Sequence, residues 1–199
     1  DDSPTCWDNY CPKNFSNFYQ GETTLIESFK KSSNIVPIKI SYQFGLKKIV
    51  NLANKFGIKY KKDLSSYLPI AIGAYGDSLL NITNAYSIIN NKGQLIKPSV
   101  IKDIKLKKGK IIWENKFVTS KIIDRQIANK LNYLLENSVE GGTGLAASIE
   151  GRKIFGKTGT SDQNKDLWFI GSIKNLTTGI WIGFDDNRAT NFSSGTSAN

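Results

Sequence analysis

The sequence predicts an α+β fold, an antiparallel sheet with flanking helices. Helix start and stop signals dominate the first three quarters of the chain. Three strand-like segments crowd the last quarter, and the stretches joining them are short, as antiparallel neighbours require. No linker or internal repeat divides the 199 residues, so they suit one ordinary domain.

Residues 1–21 read as irregular, rich in Asn, Pro and aromatic residues. Cys6 and Cys11 lie in this stretch; a local disulfide and two unpaired thiols are both compatible with the sequence. Thr24 and Glu27 form a T-x-x-E capping box, which predicts a helix from about Leu25 to Lys31. Ser32-Ser33-Asn34 breaks it. Pro37 suits the first turn of a second helix, with Ile38, Ile40, Tyr42 and Phe44 toward the core. A third helix runs to about Lys55 and stops at Gly57.

Ser78 caps a helix carrying Leu79, Ile82, Tyr86 and Ile89, which stops before Gly93. Residues 95–118 hold short strands, Ile96, Val100 to Ile104 and Ile111 to Trp113, with a Lys-Lys-Gly-Lys turn forming a peripheral hairpin. Asp124 caps a helix whose Ile127, Leu131, Leu134 and Leu135 share a face and which ends at Gly141-Gly142. Arg152 to Thr158, Leu167 to Ile173 and Thr178 to Phe184 then read as three strands. Trp168, Phe169 and Trp181 are expected in the core, and Asp185-Asp186 in a turn.

Composition excludes several chemistries. The chain has no His, so no Ser-His-Asp or Cys-His mechanism can operate within it. With 2 Cys, four-Cys zinc sites are excluded too. Nucleophilic catalysis would need another base, and Lys is the usual substitute. The net charge of +10 favours anionic partners: nucleic acid, a membrane surface or an acidic polymer. The lysines are scattered, however, apart from Lys105, Lys107, Lys108 and Lys110, so they read as a solvated face and no nucleic-acid partner is expected. No apolar run approaches the roughly 18 residues of a membrane span. The chain contains no Met, even at position 1, and reads as a piece of a longer protein.

Residues 151–158 fit the phosphate-binding string G-x-x-x-x-G-K-[ST], which raises a nucleotide hydrolase. A P-loop must follow a strand and open a helix; here the variable positions are strand-like and another strand follows. The same residues contain Lys157-Thr158-Gly159-Thr160. K-T-G is one of three signatures of penicillin-interacting serine enzymes, whose chemistry needs no His. Ser32-Ser33-Asn34 supplies a second, Ser-x-Asn, a domain-scale distance upstream of Lys157.

With these motifs stand Tyr19 to Leu25, Ala85-Tyr86 to Gly93, Gly142-Thr143-Gly144 with Ala146-Ala147, Asp166 to Gly171, and Trp181 to Asp185. From about Tyr10 to Ala198 the chain resembles the transpeptidase domain of class A penicillin-binding proteins, the bifunctional peptidoglycan synthases. The resemblance implies the fold shared by those domains and the serine β-lactamases. It implies a serine acyl-enzyme acting on D-alanyl-D-alanine stem peptides and trapped by β-lactams, with no cofactor or metal. It implies work at the outer face of the cytoplasmic membrane, behind an N-terminal anchor; the sequence leaves open whether a glycosyltransferase domain also precedes.

By resemblance, Ser32 passes a proton to the leaving amine, held by Lys157, and Asn34 hydrogen-bonds the stem-peptide amide. Thr158 and Thr160 bind the terminal carboxylate, the Thr160 N–H forms half of an oxyanion hole, and Gly159 lets the substrate lie close. Ser33 is expected to be a spacer. Gly142-Thr143-Gly144 either lines the cleft or serves a turn.

The third signature, S-x-x-K, departs from the family pattern. Ser28-x-x-Lys31 abuts Ser32, and Ser99-x-x-Lys102 follows Pro98 in a strand-like segment, so neither suits a nucleophile. Residues 1–199 are therefore expected to be the later part of one domain, completed by an upstream part of the same polypeptide that carries the nucleophile. Gly195 to Ala198 reads as the approach to a last helix. Alone, the chain is expected to be inactive and to expose apolar surface. The alternative is a non-catalytic wall- or partner-binding remnant on the same fold; a β-lactamase is disfavoured by the Trp168 to Asp185 pattern.

Overall fold

The computed structural model describes residues 1–60, 64 and 66–192. The stretch from Gly195 to Ala198 lies outside the described residues. The chain is α+β, as the sequence predicts, with helices α1 (Leu25–Lys30), α2 (Ile35–Phe44), α3 (Leu46–Lys55), α4 (Leu79–Asn90) and α5 (Arg125–Gly141). The strands are β1 (Gln94–Ile96), β2 (Asp103–Lys105), β3 (Ile111–Glu114), β4 (Thr119–Lys121), β5 (Phe155–Thr160), β6 (Asp166–Ile173) and β7 (Leu176–Gly183).

Local chemistry places most boundaries. The Thr24 hydroxyl accepts from the Glu27 N–H at 3.2 Å and starts α1. Glu27 does not complete the capping box; its carboxylate accepts from Lys30 at 3.0 Å. Ser78 caps α4 through the Asn81 N–H at 3.2 Å. Asp124 precedes α5 without a side-chain cap and pairs instead with Lys121. Gly57 and Gly93 follow α3 and α4 at φ 88° and 86°, left-handed positions that end a helix.

The expected inward face needed correction in α2 and, at Ile127, in α5. In α2, Ile35, Val36, Ile38 and Ser41 are buried, whereas Ile40, Tyr42 and Phe44 are exposed. Alternate positions cannot share a face when the helix repeats every 3.6 residues. In α4 the fully covered residues are Ala85 and Ile88, and Leu79 sits at the rim. In α5 the buried stripe is Ala128, Leu135, Glu136, Ser138 and Val139, with Ile127 outside it.

The central sheet has the order β5-β6-β7, antiparallel throughout, with Lys157 opposite Ile170 and Ile170 opposite Gly179. The β6–β7 turn is tighter than expected, because Leu176 and Thr177 already belong to β7. Helix α5 packs on β5, α4 packs on β6 and β7, and the two helices touch. Strand β6 is buried on both faces, at Leu167 and Phe169 on one and at Ile170 and Ser172 on the other. Phe169 joins the core as expected, while Trp168 and Trp181 are half-buried, tilted 52° to each other. Asp185 and Asp186 form a turn. A smaller core joins Leu46 and Val50 of α3 to Ile70.

The expected peripheral hairpin is β2–β3, with Ile104 opposite Trp113; β1 and β4 pair separately. All four residues of β3 are exposed. Cys6 and Cys11 are joined by a disulfide.

Candidate active site

Two elements far apart in sequence meet at the site. The first is the turn between α1 and α2. Ser32 adopts φ 56°, an uncommon left-handed conformation for a residue with a Cβ. Its N–H bonds the Phe29 carbonyl at 3.1 Å, and the Ser33 N–H bonds the Ser28 carbonyl at 3.0 Å. Ser33 is not a spacer: its hydroxyl accepts from the Val36 N–H at 3.2 Å, capping α2, and donates to the Asp2 carboxylate.

The second element is β5, the edge strand of the sheet. It carries Lys157, whose ammonium donates to the Ser32 hydroxyl at 2.8 Å and to the Thr158 carbonyl at 3.3 Å. The Phe29 ring lies 5.9 Å from the ammonium. Burial pushes the Lys157 amine down to about 8. The site therefore holds a lysine that exchanges its proton near neutral pH, against a hydroxyl.

The end of α5 closes a third side. Thr158 donates to the Thr143 hydroxyl at 2.7 Å, and the Thr143 N–H donates to the Lys30 carbonyl at 3.2 Å. A Cβ on Gly142 would lie 2.5 Å from the Lys30 carbonyl oxygen and 2.7 Å from that of Ser138. Glycine thus lets the α5 terminus approach the α1 terminus. Gly142-Thr143-Gly144 serves both purposes weighed for it, a tight turn and a cleft wall.

Ser32, Asn34, Thr143, Thr158 and Thr160 line a cleft of about 810 Å³. The Asn34 amide donates to the Lys13 carbonyl at 2.7 Å, so this side chain is already anchored on its nitrogen side. Gly159 lies on β5 between Thr158 and Thr160, and a Cβ there would sit 3.3 Å from the Trp168 Cβ. Sequence reasoning missed Asp2 and Asn14, which hold the Ser32 turn, and the cleft rim at Phe15 and Phe18. A lone Asp or Asn in an irregular stretch carries no spacing signal.

The rejected motifs are equally clear. Ser28 is buried within α1, and Ser99 is exposed and donates to the Ile101 carbonyl at 3.0 Å; neither lines the cleft. The P-loop string lies partly in β5, and after Thr160 only a short turn leads to β6, so no helix N-terminus cradles a phosphate. Among the described residues no three His, Cys, Asp or Glu side chains cluster as metal ligands.

The family model for the penicillin binding protein transpeptidase domain matches residues 1–184. Penicillin-binding protein 1A of Clostridium tetani is 36% identical over 189 residues, which is 89% of this chain and 24% of that protein. The protein of the same name from Rickettsia prowazekii is 30% identical over 89% of this chain and 25% of its own length. The chain thus spans about a quarter of these relatives. The crystal structure of penicillin-binding protein 1A from Haemophilus influenzae superposes with a TM-score of 0.87 at 26% identity, over 99% of this chain and 36% of that one. The PonA1 protein of Mycobacterium tuberculosis in complex with penicillin V gives a TM-score of 0.85 at 18% identity, over 100% of this chain and 59% of that one.

Proposed function

The chain belongs to the penicillin-binding protein transpeptidase family, and from that premise we propose that it forms part of a serine D-alanyl-D-alanine transpeptidase that cross-links peptidoglycan and is acylated by β-lactams. The supporting observation is the 2.8 Å hydrogen bond from Lys157 to Ser32, made across 125 residues of sequence. A lysine whose amine is pushed down to about 8 can both hold and return a proton there.

In this reading residues 1–199 are the later part of the catalytic domain. The nucleophilic serine and its lysine come from an upstream part of the same polypeptide. The serine oxygen attacks the penultimate D-alanine carbonyl while its proton passes to the upstream lysine. As the C–N bond breaks, Ser32 gives its proton to the departing amine, and Lys157 returns one to Ser32. Thr158 and Thr160 receive the terminal carboxylate, the Thr160 N–H stabilises the oxyanion, and Asn34 orients the stem-peptide amide. No cofactor takes part. The Cys6–Cys11 disulfide fits the oxidising, extracytoplasmic face of the membrane.

The test is covalent labelling with fluorescent penicillin. The full-length polypeptide is expected to label and the 199-residue chain alone to stay dark. A stable adduct on the isolated chain would place the nucleophile within it. A full-length protein that never labels would leave a wall-binding remnant as the account.

A further inference from the structure

Asp2 is 1% exposed, so its carboxylate must be satisfied inside the protein. Among the described residues no cation bonds it directly. One oxygen accepts from the Ser33 hydroxyl and from the Asn14 amide at 3.1 Å. The other accepts from the same amide at 2.9 Å and from the Gln20 N–H at 3.1 Å. The Asp2 N–H itself donates to the Gly21 carbonyl at 2.6 Å. Asn14 extends the strut: its carbonyl oxygen accepts from the Asn34 N–H at 2.9 Å, and its amide donates to the Phe18 carbonyl at 2.9 Å. Residues 1–21, which carry no regular secondary structure beyond a single bridge, are thereby tied to both sides of Ser33.

We propose that Asp2 is a positioning residue for the reaction, fixing Ser32 and Asn34 through Ser33 and Asn14. The inference rests on the reading of Ser32, Asn34 and Lys157 given above. Ser32 occupies a left-handed backbone conformation, which persists only where its surroundings impose it. The bonds that impose it come from Phe29 and Ser28 on one side and from Asp2 and Asn14 on the other. Burial raises the Asp2 carboxyl, but hydrogen bonds from Ser33, Asn14 and Gln20 and the nearby Lys39 charge bring it below the usual carboxylate range. It is ionised at neutral pH, when charge-assisted bonds are shortest and most directional. If the strut slackens, the Ser32 hydroxyl drifts from Lys157 and from the leaving amine. A misplacement of about 1 Å can cost roughly 100-fold in rate.

The experiment uses the full-length polypeptide and a D-alanyl thioester donor. Asp2→Asn keeps the shape but turns one acceptor into a donor; Ser33→Ala removes the bond from the turn without setting a new donor against it, and thermal melts identify the folded variants. Each is expected to lower kcat about 10- to 100-fold with KM within about twofold. Adding Asn14→Asp to Asp2→Asn restores a donor–acceptor pair between the two positions and keeps an acceptor for the Asn34 N–H, and should recover part of kcat. A folded Asp2→Asn or Ser33→Ala variant with wild-type kcat would overturn the inference. So would a loss confined to KM or melting temperature without recovery in the exchange, which a merely structural carboxylate would give. Lys157→Met is the control: if it too keeps wild-type kcat, the reading of the site fails, independently of the strut.

Discussion

The central sheet and the β2–β3 hairpin have similar strand chemistry and opposite fates. Both carry β-branched and aromatic residues, and both pair antiparallel. In β6, Leu167, Phe169 and Ile170 are buried at 0%, 7% and 3% exposure; in the hairpin, Ile112 and Trp113 are left at 56% and 45%. Strand propensity therefore reports what can pair, and helices α4 and α5 decide what is covered. The lysines show the same contrast. Lys157 is held against Ser32, whereas Lys105 sits beside Asp103 at 3.5 Å on an open surface.

Lysine replacement gives the largest contrast. Lys157→Met should lower β-lactam acylation of the full-length protein by about 10²- to 10⁴-fold, the usual range for a lost proton-transfer group. Lys108→Met in the hairpin should leave it unchanged. Equal effects would erase the distinction between the regions.

Aromatic truncation comes next. Phe169→Ala should cost about 3–5 kcal/mol of unfolding free energy, by transfer and cavity terms together. Trp113→Ala should cost less, about 1–2 kcal/mol, since the ring is already half in water. Denaturant titration of the full-length polypeptide measures both. Gly156→Ala sharpens the point on the sheet side. Its Cβ would stand 2.6 Å from the Phe169 ring, so the ring must move, at about 1–3 kcal/mol.

A pH titration separates the two kinds of lysine. The Lys157 amine sits at about 8 when folded and at 10.5 when free. Between those values the unfolded chain binds more protons, so this lysine makes stability rise with pH. Its stabilising share is complete above the free value and is lost as pH falls through about 8. The stability difference between wild type and Lys157→Met should trace that rise; a flat difference would show the amine to be solvated. The smallest effect is expected from Ile112→Thr, within about 0.5 kcal/mol at an exposed position.

Much of this was legible locally. Thr24, Ser78, Gly57 and Gly93 act on backbone groups within a few residues of themselves, so their signals survive in a single sequence. Of the three final strands, β6 was readable because a strand buried on both faces writes a continuous apolar run, and β7 because its β-branched and aromatic residues follow a short turn. Lys157 and Ser32 were recognisable as motifs, and the chain's family followed from their order. The face of α2 and, at Ile127, that of α5 were not, because the partner that covers a face is remote in sequence. Ser33 looked idle for the same reason.

By itself, then, the sequence determined where most helices and strands begin, that histidine chemistry is excluded, and which motifs stand on which elements. Only the tertiary structure decided that Lys157 reaches Ser32, that its amine falls to about 8, and that a buried Asp2 holds the turn. Capping and turn formation are energies between near neighbours. Desolvation and hydrogen bonding across 125 residues exist only once the chain has brought those groups together and excluded water from them.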